Sequence, residues 1–184
     1  MNQKEEEKNK YEHMWGKDEY RKCSPAFHRF FDDVKSVINE GDSIIEFGCG
    51  SGVGLGELAK SHEVIGIDIA KNCLNKDVKV PFVEACLWEP MNVKADVGFC
   101  VDVMEHIPPE KVYDTFKEIM ECVPKCLFII CKLQDSNRTK RIHPTLHLTV
   151  EGDKFWLKEA EKHGKVTKII RSTGRAIHFI LENS

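Results

Sequence analysis

Residues 43–60 read SIIEFGCGSGVGLGELAK, and five glycines fall on alternate positions from Gly48 to Gly56. A short apolar run, SIIEF (43–47), precedes them, and a helical pattern ending near Lys60 follows. A strand, a glycine turn and a helix start bring backbone N–H groups close to a ligand, with an anionic group as the expected target. The spacing narrows the choice. A dinucleotide fingerprint wants G-x-G-x-x-G, but the sixth position is Val53 counted from Gly48 and Leu55 counted from Gly50. No G-K-[ST] is present, so the ATP-type phosphate loop is missing too. An acid does stand 20 residues beyond Gly48: Asp68, at the end of EVIGIDI (63–69). A carboxylate there can accept both hydroxyls of a ribose.

Working outward, short apolar strands alternate with amphipathic helices. Ser24-Pro25 reads as a helix start, with Ser as cap and Pro in the first turn, and Gly41 ends that helix. After SIIEF and EVIGIDI, strands are expected at KVPFVEA (79–85), DVGFCVD (96–102) and CLFIICK (126–132). A helix opened by the prolines of IPPEKVYDTFKEIMECV lies between the last two, with Val112, Phe116, Ile119, Met120 and Val123 on one face. Another helix is expected from about Asp153 to His163. KVTKIIRS and AIHFILEN, separated by Thr173-Gly174-Arg175, then form an antiparallel hairpin. Such alternation predicts an α/β fold, an open and mostly parallel sheet covered on both faces, whose ligands collect at the carboxyl ends of the strands.

The 184 residues suffice for one domain with a sizeable core. Hydrophobic residues make up 41% and charged residues 31%, which places the chain among globular proteins. Its 27 basic and 30 acidic residues give a net charge of -3, and that balance disfavours nucleic acid as a partner. The first ten residues, MNQKEEEKNK, hold no apolar signal segment and are expected to fray. Eight cysteines without a CxxC pair read as reduced, buried thiols of a cytoplasmic protein rather than a disulfide or zinc scaffold. CLFII (126–130), the longest apolar run, is too short for a bilayer.

EFGCGSGVG, with GIDIA downstream, resembles the nucleoside-binding half of the class I S-adenosylmethionine-dependent methyltransferases, and DVMEHIP is similar to the end of their fourth strand. DVMEHIPPE, with LHLTVEGDKFW downstream, resembles small bacterial or phage-type members, some of which act on sugars or other polar metabolites. The resemblance spans roughly residues 40 to 182 and implies a Rossmann-like three-layer sandwich with seven strands, the last antiparallel. It implies S-adenosyl-L-methionine as cofactor and S-adenosyl-L-homocysteine as product. By position, Glu46 falls at the first strand end, with Gly48, Cys49, Gly50 and Gly52 under the methionine part of the cofactor. Asp68 takes the place of the ribose-binding acid and Ile69 a face of adenine. Cys86 and Leu87 fall beside the base, although the usual acid-plus-small pair is replaced by Glu84-Ala85-Cys86-Leu87. Asp102 and Val103 follow the fourth strand, where cofactor meets acceptor. Cys49 reads as a small turn residue, having no base near it in sequence.

Methyl transfer needs alignment and, for many acceptors, removal of a proton. Candidates therefore sit on the loops after strands four and five: Glu105 and His106, then Asp135, His143 and His147 in the long polar stretch KLQDSNRTKRIHPTLHLTV. His106 is the first choice as base because an unperturbed imidazole titrates near neutrality. Glu105, His143 and His147 could bind a metal, but they come from separate loops and the chain reads as metal-free. Trp15, Tyr20 and Arg21, in a 1–24 arm of a single 1–184 domain, are candidates for a lid over a polar or anionic substrate. The expected acceptor is a small polar metabolite such as a saccharide or nucleotide-linked sugar, handled by a monomer or homodimer with no membrane partner. The alternatives are RNA or protein methylation, with Arg138, Lys140 and Arg141 on phosphate, or an inactive binding protein on the same fold.

Overall fold

A computed structural model of the chain describes residues 2–23 and 26–184; the side chains of 23–29, 138 and 139 are outside that description. Seven strands form one sheet: β1 Ile44–Phe47, β2 Val64–Asp68, β3 Phe82–Glu84, β4 Val97–Val101, β5 Lys125–Cys131, β6 Lys165–Ser172 and β7 Ala176–Glu182. Their order is β3-β2-β1-β4-β5-β7-β6. The pairs among β1 to β5 are parallel, whereas β7 runs antiparallel to both β5 and β6. This is the expected Rossmann-like arrangement. Its topology reverses direction between β1 and β4, the place where open sheets of this kind hold ligands.

Every residue of β1 and β4 is buried, as strands covered on both faces must be. One face packs against α5 (Val112–Cys122) and α7 (Asp153–Ala160), through Phe116, Ile119, Met120 and Trp156. The other packs against α1 (Gln3–Trp15), α3 (Ala26–Lys35) and α4 (Val53–Leu58), through Trp15, Val34, Leu55 and Leu58. Phe128 of β5 stacks on Phe179 of β7 at 5.4 Å between ring centroids, which fixes the antiparallel strand to the parallel ones. Two 3-10 turns, Met104–His106 and Pro109–Lys111, carry the chain from β4 into α5.

Two expectations change. Residues 3–15 do not fray but form α1, because Asn2 caps it by accepting from the Glu5 N–H at 2.9 Å and Met14 and Trp15 are buried at its far end. Lys4 and Lys8 tie its exposed side to Glu89 (2.6 Å) and Glu84 (2.5 Å) near β3. The polar stretch after β5 is not without structure either. It holds a short helix, α6 (Asn137–Ile142). The expected start at Ser24-Pro25 lies outside the described residues; α2 spans Asp18–Cys23 before it. The third strand is shorter than its sequence run, three residues at a sheet edge.

Candidate functional site

Along the glycine loop three residues take left-handed backbone: Gly48 at φ 72°, Gly50 at 51° and Gly52 at 70°. At Gly48 a side chain is excluded twice, by that φ and by Val103, whose methyl groups occupy the space a Cβ would need. Three of the loop's amides are already engaged. The Gly48 and Cys49 N–H groups donate to the Ile67 carbonyl at 2.8 and 2.9 Å, and Gly50 N–H donates to Asp68 Oδ2 at 3.0 Å. Its glycines serve close approach, leaving a flat backbone surface against Val103 and the strand ends.

Asp68 is buried at the end of β2, and Oδ1 accepts from the Ala70 N–H at 2.9 Å. The Gly50 and Ala70 amides thus hold one oxygen each. Burial raises its carboxyl to about 6, against the opposing hydrogen bonds from Ala70, Gly50 and Ile69. Glu46, at the end of β1, is pushed up to about 8 by burial and then by the Asp68 charge. Its Oε2 is buried with no hydrogen-bond partner. Cys49 is buried beside Cys73, and that thiol contact together with burial raises it, so it is a packed turn residue and not a thiolate.

Beyond β4, Asp102 has φ 52°, a strained backbone for a residue with a side chain. Glu105 is 1% exposed, and no side chain hydrogen-bonds its carboxyl, which is opposed in its burial only by the backbone N–H groups of Glu105 and Cys131. Burial first, and Asp102 second, hold it well above the usual carboxylate range. His106 donates from Nδ1 to the Leu146 carbonyl at 3.0 Å, since a carbonyl can only accept. Burial, then His147, lowers it to about 4. The near-neutral titration that made it first choice as a base is therefore absent. His147 lies edge-on to it, 4.8 Å between ring centroids, and donates from its own Nδ1 to the Leu133 carbonyl. The segment around His147 is docked by backbone bonds, Leu148 and Thr149 N–H donating to the Glu105 carbonyl at 2.8 and 3.0 Å.

One cavity of about 1070 Å³ crosses the carboxyl ends of the strands and gathers most of these groups. Asp68, Ile69 and Leu87 line it near β2 and β3, and Glu46, Gly48, Cys49 and Gly50 near β1. Asp102, Val103, Glu105, His106 and His147 follow beyond β4, and Trp15 and Tyr20 wall it from the arm. Other sequence candidates stand elsewhere. Arg21 clamps the arm by donating to the Cys73 carbonyl (2.8 Å), the Asn72 carbonyl and Asn75 Oδ1, and does not line the cavity. Asp135 accepts from the Leu146 N–H (2.7 Å) and His147 N–H (3.2 Å), so it positions the histidine loop from behind. His143 closes a local turn with Thr145 at 2.8 Å and does not line the cavity. Cys86 is buried and Gly52 packs toward Leu74; neither lines it.

Trp88, Arg171, Arg175 and His178 also stand on the cavity wall and were not among the sequence candidates. A signal for the arginines did exist. An antiparallel last strand must begin where its parallel neighbour ends, and Ala176 indeed faces Cys131, so the β6–β7 turn arrives at the ligand edge. Tyr11 of α1, four residues before Trp15, lines the cavity too.

A sequence-family model described as a methyltransferase domain matches residues 14–171. A search of curated proteins finds no match. Among solved structures, a protein from Pyrococcus horikoshii OT3 superposes with a TM-score of 0.70 at 14% identity, covering 92% of this chain and 93% of that one. The N-methyltransferase NodS from Bradyrhizobium japonicum WM9, in complex with S-adenosyl-L-homocysteine, gives 0.68 at 10% identity over 96% and 97%. Magnesium protoporphyrin IX methyltransferase from Synechocystis PCC 6803, with S-adenosylmethionine bound, gives 0.65 at 14% over 100% and 98%. At these identities the likeness is one of fold.

Proposed function

The chain belongs to the methyltransferase-domain family, of the class I S-adenosylmethionine-dependent type, and on that premise we propose that it methylates a small polar acceptor bearing negative charge. The observation that carries this reading is one continuous cavity, about 1070 Å³, lined from Asp68 to Arg175 and by Tyr11, Trp15 and Tyr20 of the N-terminal arm. That volume accommodates a nucleoside cofactor together with a small acceptor. Trp15 and Tyr20, 4.8 Å apart in edge contact, wall it where a macromolecule would have to enter.

The cofactor end fits its ligand. Asp68 offers the remaining lone pairs of its carboxylate to a ribose, and Leu87, Ile69 and Trp88 supply apolar surface for a base. Glu46, with its unpartnered Oε2, suits the ammonium of an amino acid, and the bare backbone at Gly48 admits close contact. When bound, S-adenosylmethionine supplies a methyl group on a sulfonium, already activated for transfer. Asp102 and Val103 divide that end from the acceptor end. There Arg171 and Arg175 attract an anionic acceptor, and the neutral His106, with its lone pair on Nε2, orients the group to be methylated. The arm acts as lid, with Lys4, Lys8 and Arg21 as its fastenings.

The test is an extract incubated with the protein and methyl-labelled cofactor, then separated into small-molecule, RNA and protein fractions. Label is expected in the small-molecule fraction and retained by an anion exchanger. Label confined to RNA or protein would overturn the reading in favour of macromolecular methylation, with the exposed Lys140 and Arg141 of α6 as contacts. No label in any fraction would favour an inactive binding protein.

A further inference from the structure

We propose that Glu105, His106 and His147 form a divalent-cation site at the acceptor end of the cavity. The inference starts from an imbalance. Glu105 is 1% exposed and lines the cavity, yet no side chain hydrogen-bonds its oxygens, and only the backbone N–H groups of Glu105 and Cys131 oppose its burial. A buried carboxyl so weakly met is costly unless something positive completes it. Among the described residues the lysines of α1 are ion-paired to other acids, Lys4 to Glu89, Lys8 to Glu84 and Lys10 to Glu7, although the Lys10 charge reaches His106. What faces Glu105 is a pair of imidazoles. One ligand atom from each of Glu105, His106 and His147 lies within 4.8 Å of the other two. That is a spacing an ion can draw together with small side-chain adjustments.

The second observation is the state of the rings. His106 and His147 each donate an Nδ1 hydrogen to a backbone carbonyl, of Leu146 and of Leu133. In a neutral ring so held the lone pair falls on Nε2. Fixing one nitrogen as a donor so that the other can ligate is how proteins orient metal-binding histidines. Two polar supports reach the same loops. Asp135 holds the Leu146 and His147 amides and leaves Oδ1, buried and unpartnered, 3.9 Å from His147 Nε2. The Glu105 carbonyl accepts from Leu148 and Thr149 N–H, so carboxylate and second imidazole are fixed relative to each other. Two imidazoles and one carboxylate on one side of an ion leave positions open for outside ligands, and mixed nitrogen and oxygen donors suit Zn²⁺, Mn²⁺, Fe²⁺ or Co²⁺ over Mg²⁺ or Ca²⁺. The open positions face the cavity, where they accept an oxygen of an anionic or hydroxylated acceptor.

A second cluster, Cys49, Asp68 and Cys73, is also within ligand spacing. It is the weaker candidate, because both Asp68 oxygens already accept from amides and all three groups are packed in the core.

Metal binding is read directly and does not depend on the methyltransferase proposal. Protein stripped with a chelator and dialysed is titrated with Zn²⁺, Mn²⁺ or Co²⁺ by calorimetry, and the Co²⁺ form is followed by visible absorption. One ion per chain is expected, with the d–d bands of nitrogen–oxygen coordination. His147→Ala, a change at a part-exposed position, and Glu105→Gln should each weaken binding at least tenfold while thermal unfolding stays cooperative. No binding of any of the three ions would overturn the site. So would full binding in both variants, or the intense thiolate-to-cobalt charge-transfer band that ligation by Cys49 and Cys73 would give.

Discussion

At Asp68 one carboxylate serves two tasks, holding the Gly50 and Ala70 amides and presenting its remaining lone pairs to the cavity. Asp68→Ala should lower S-adenosylhomocysteine affinity by about 2–3 kcal/mol, which is 30- to 150-fold, in calorimetry. Asp68→Asn, which keeps one acceptor oxygen, should lose less. Glu46 makes a prediction about pH. Its folded value of about 8 lies above the ordinary 4.5, and Asp68 at about 6 lies above 3.8. The folded protein thus holds these protons more tightly than the unfolded chain. Their stabilising effect is complete below about pH 4 and is lost as pH rises through 6 and on to 8. His106 works in the opposite direction, because its folded value of about 4 lies below 6.5, so stability is lost as pH falls from 6.5 toward 4. Glu46→Gln should therefore gain in melting temperature relative to wild type between pH 5 and pH 8. A constant difference across that range would contradict the assignment.

At the level of elements, the β6–β7 turn and α1 close the cavity from two sides. Arg171→Ala and Arg175→Ala should raise KM for the acceptor about tenfold or more and leave S-adenosylhomocysteine binding unchanged. For α1, replacing Lys4 and Lys8 by Ala removes the ion pairs to Glu89 and Glu84. The expected result is several-fold faster release of S-adenosylhomocysteine in stopped flow, with no change in the acceptor's relative reactivity. These two elements also mark the limit of what sequence could tell. β1, β2, β4 and β5 are legible because a strand buried on both faces must be apolar throughout. α1 was not legible: its composition is charged on all sides, and its stability comes from the Asn2 cap and from partners in distant loops. α6 lacks an apolar face for the same reason.

For the molecule as a whole, the sheet order followed from the alternation of elements and from the resemblance. Gly48, Gly50 and Asp68 belong to one strand–turn–helix–strand unit, so spacing could group them, whereas Val103 followed only from the resemblance. His106 and His147 were legible as polar residues on the loops after β4 and β5, but only the folded topology brings them to one cavity with Tyr11 and Arg175. That division also has an order in time. β7 lies between β5 and β6 and pairs with β5 along its whole length, yet it is synthesised after both. A nascent chain that has emerged through α7 holds Asp68 and the glycine loop but has neither Arg175 nor the neighbour that covers the β5 edge. It follows that the Asp68 side of the cavity, proposed for the nucleoside, can form on the ribosome, while the Arg175 side, proposed for the acceptor, comes into being only once the last strand slots home.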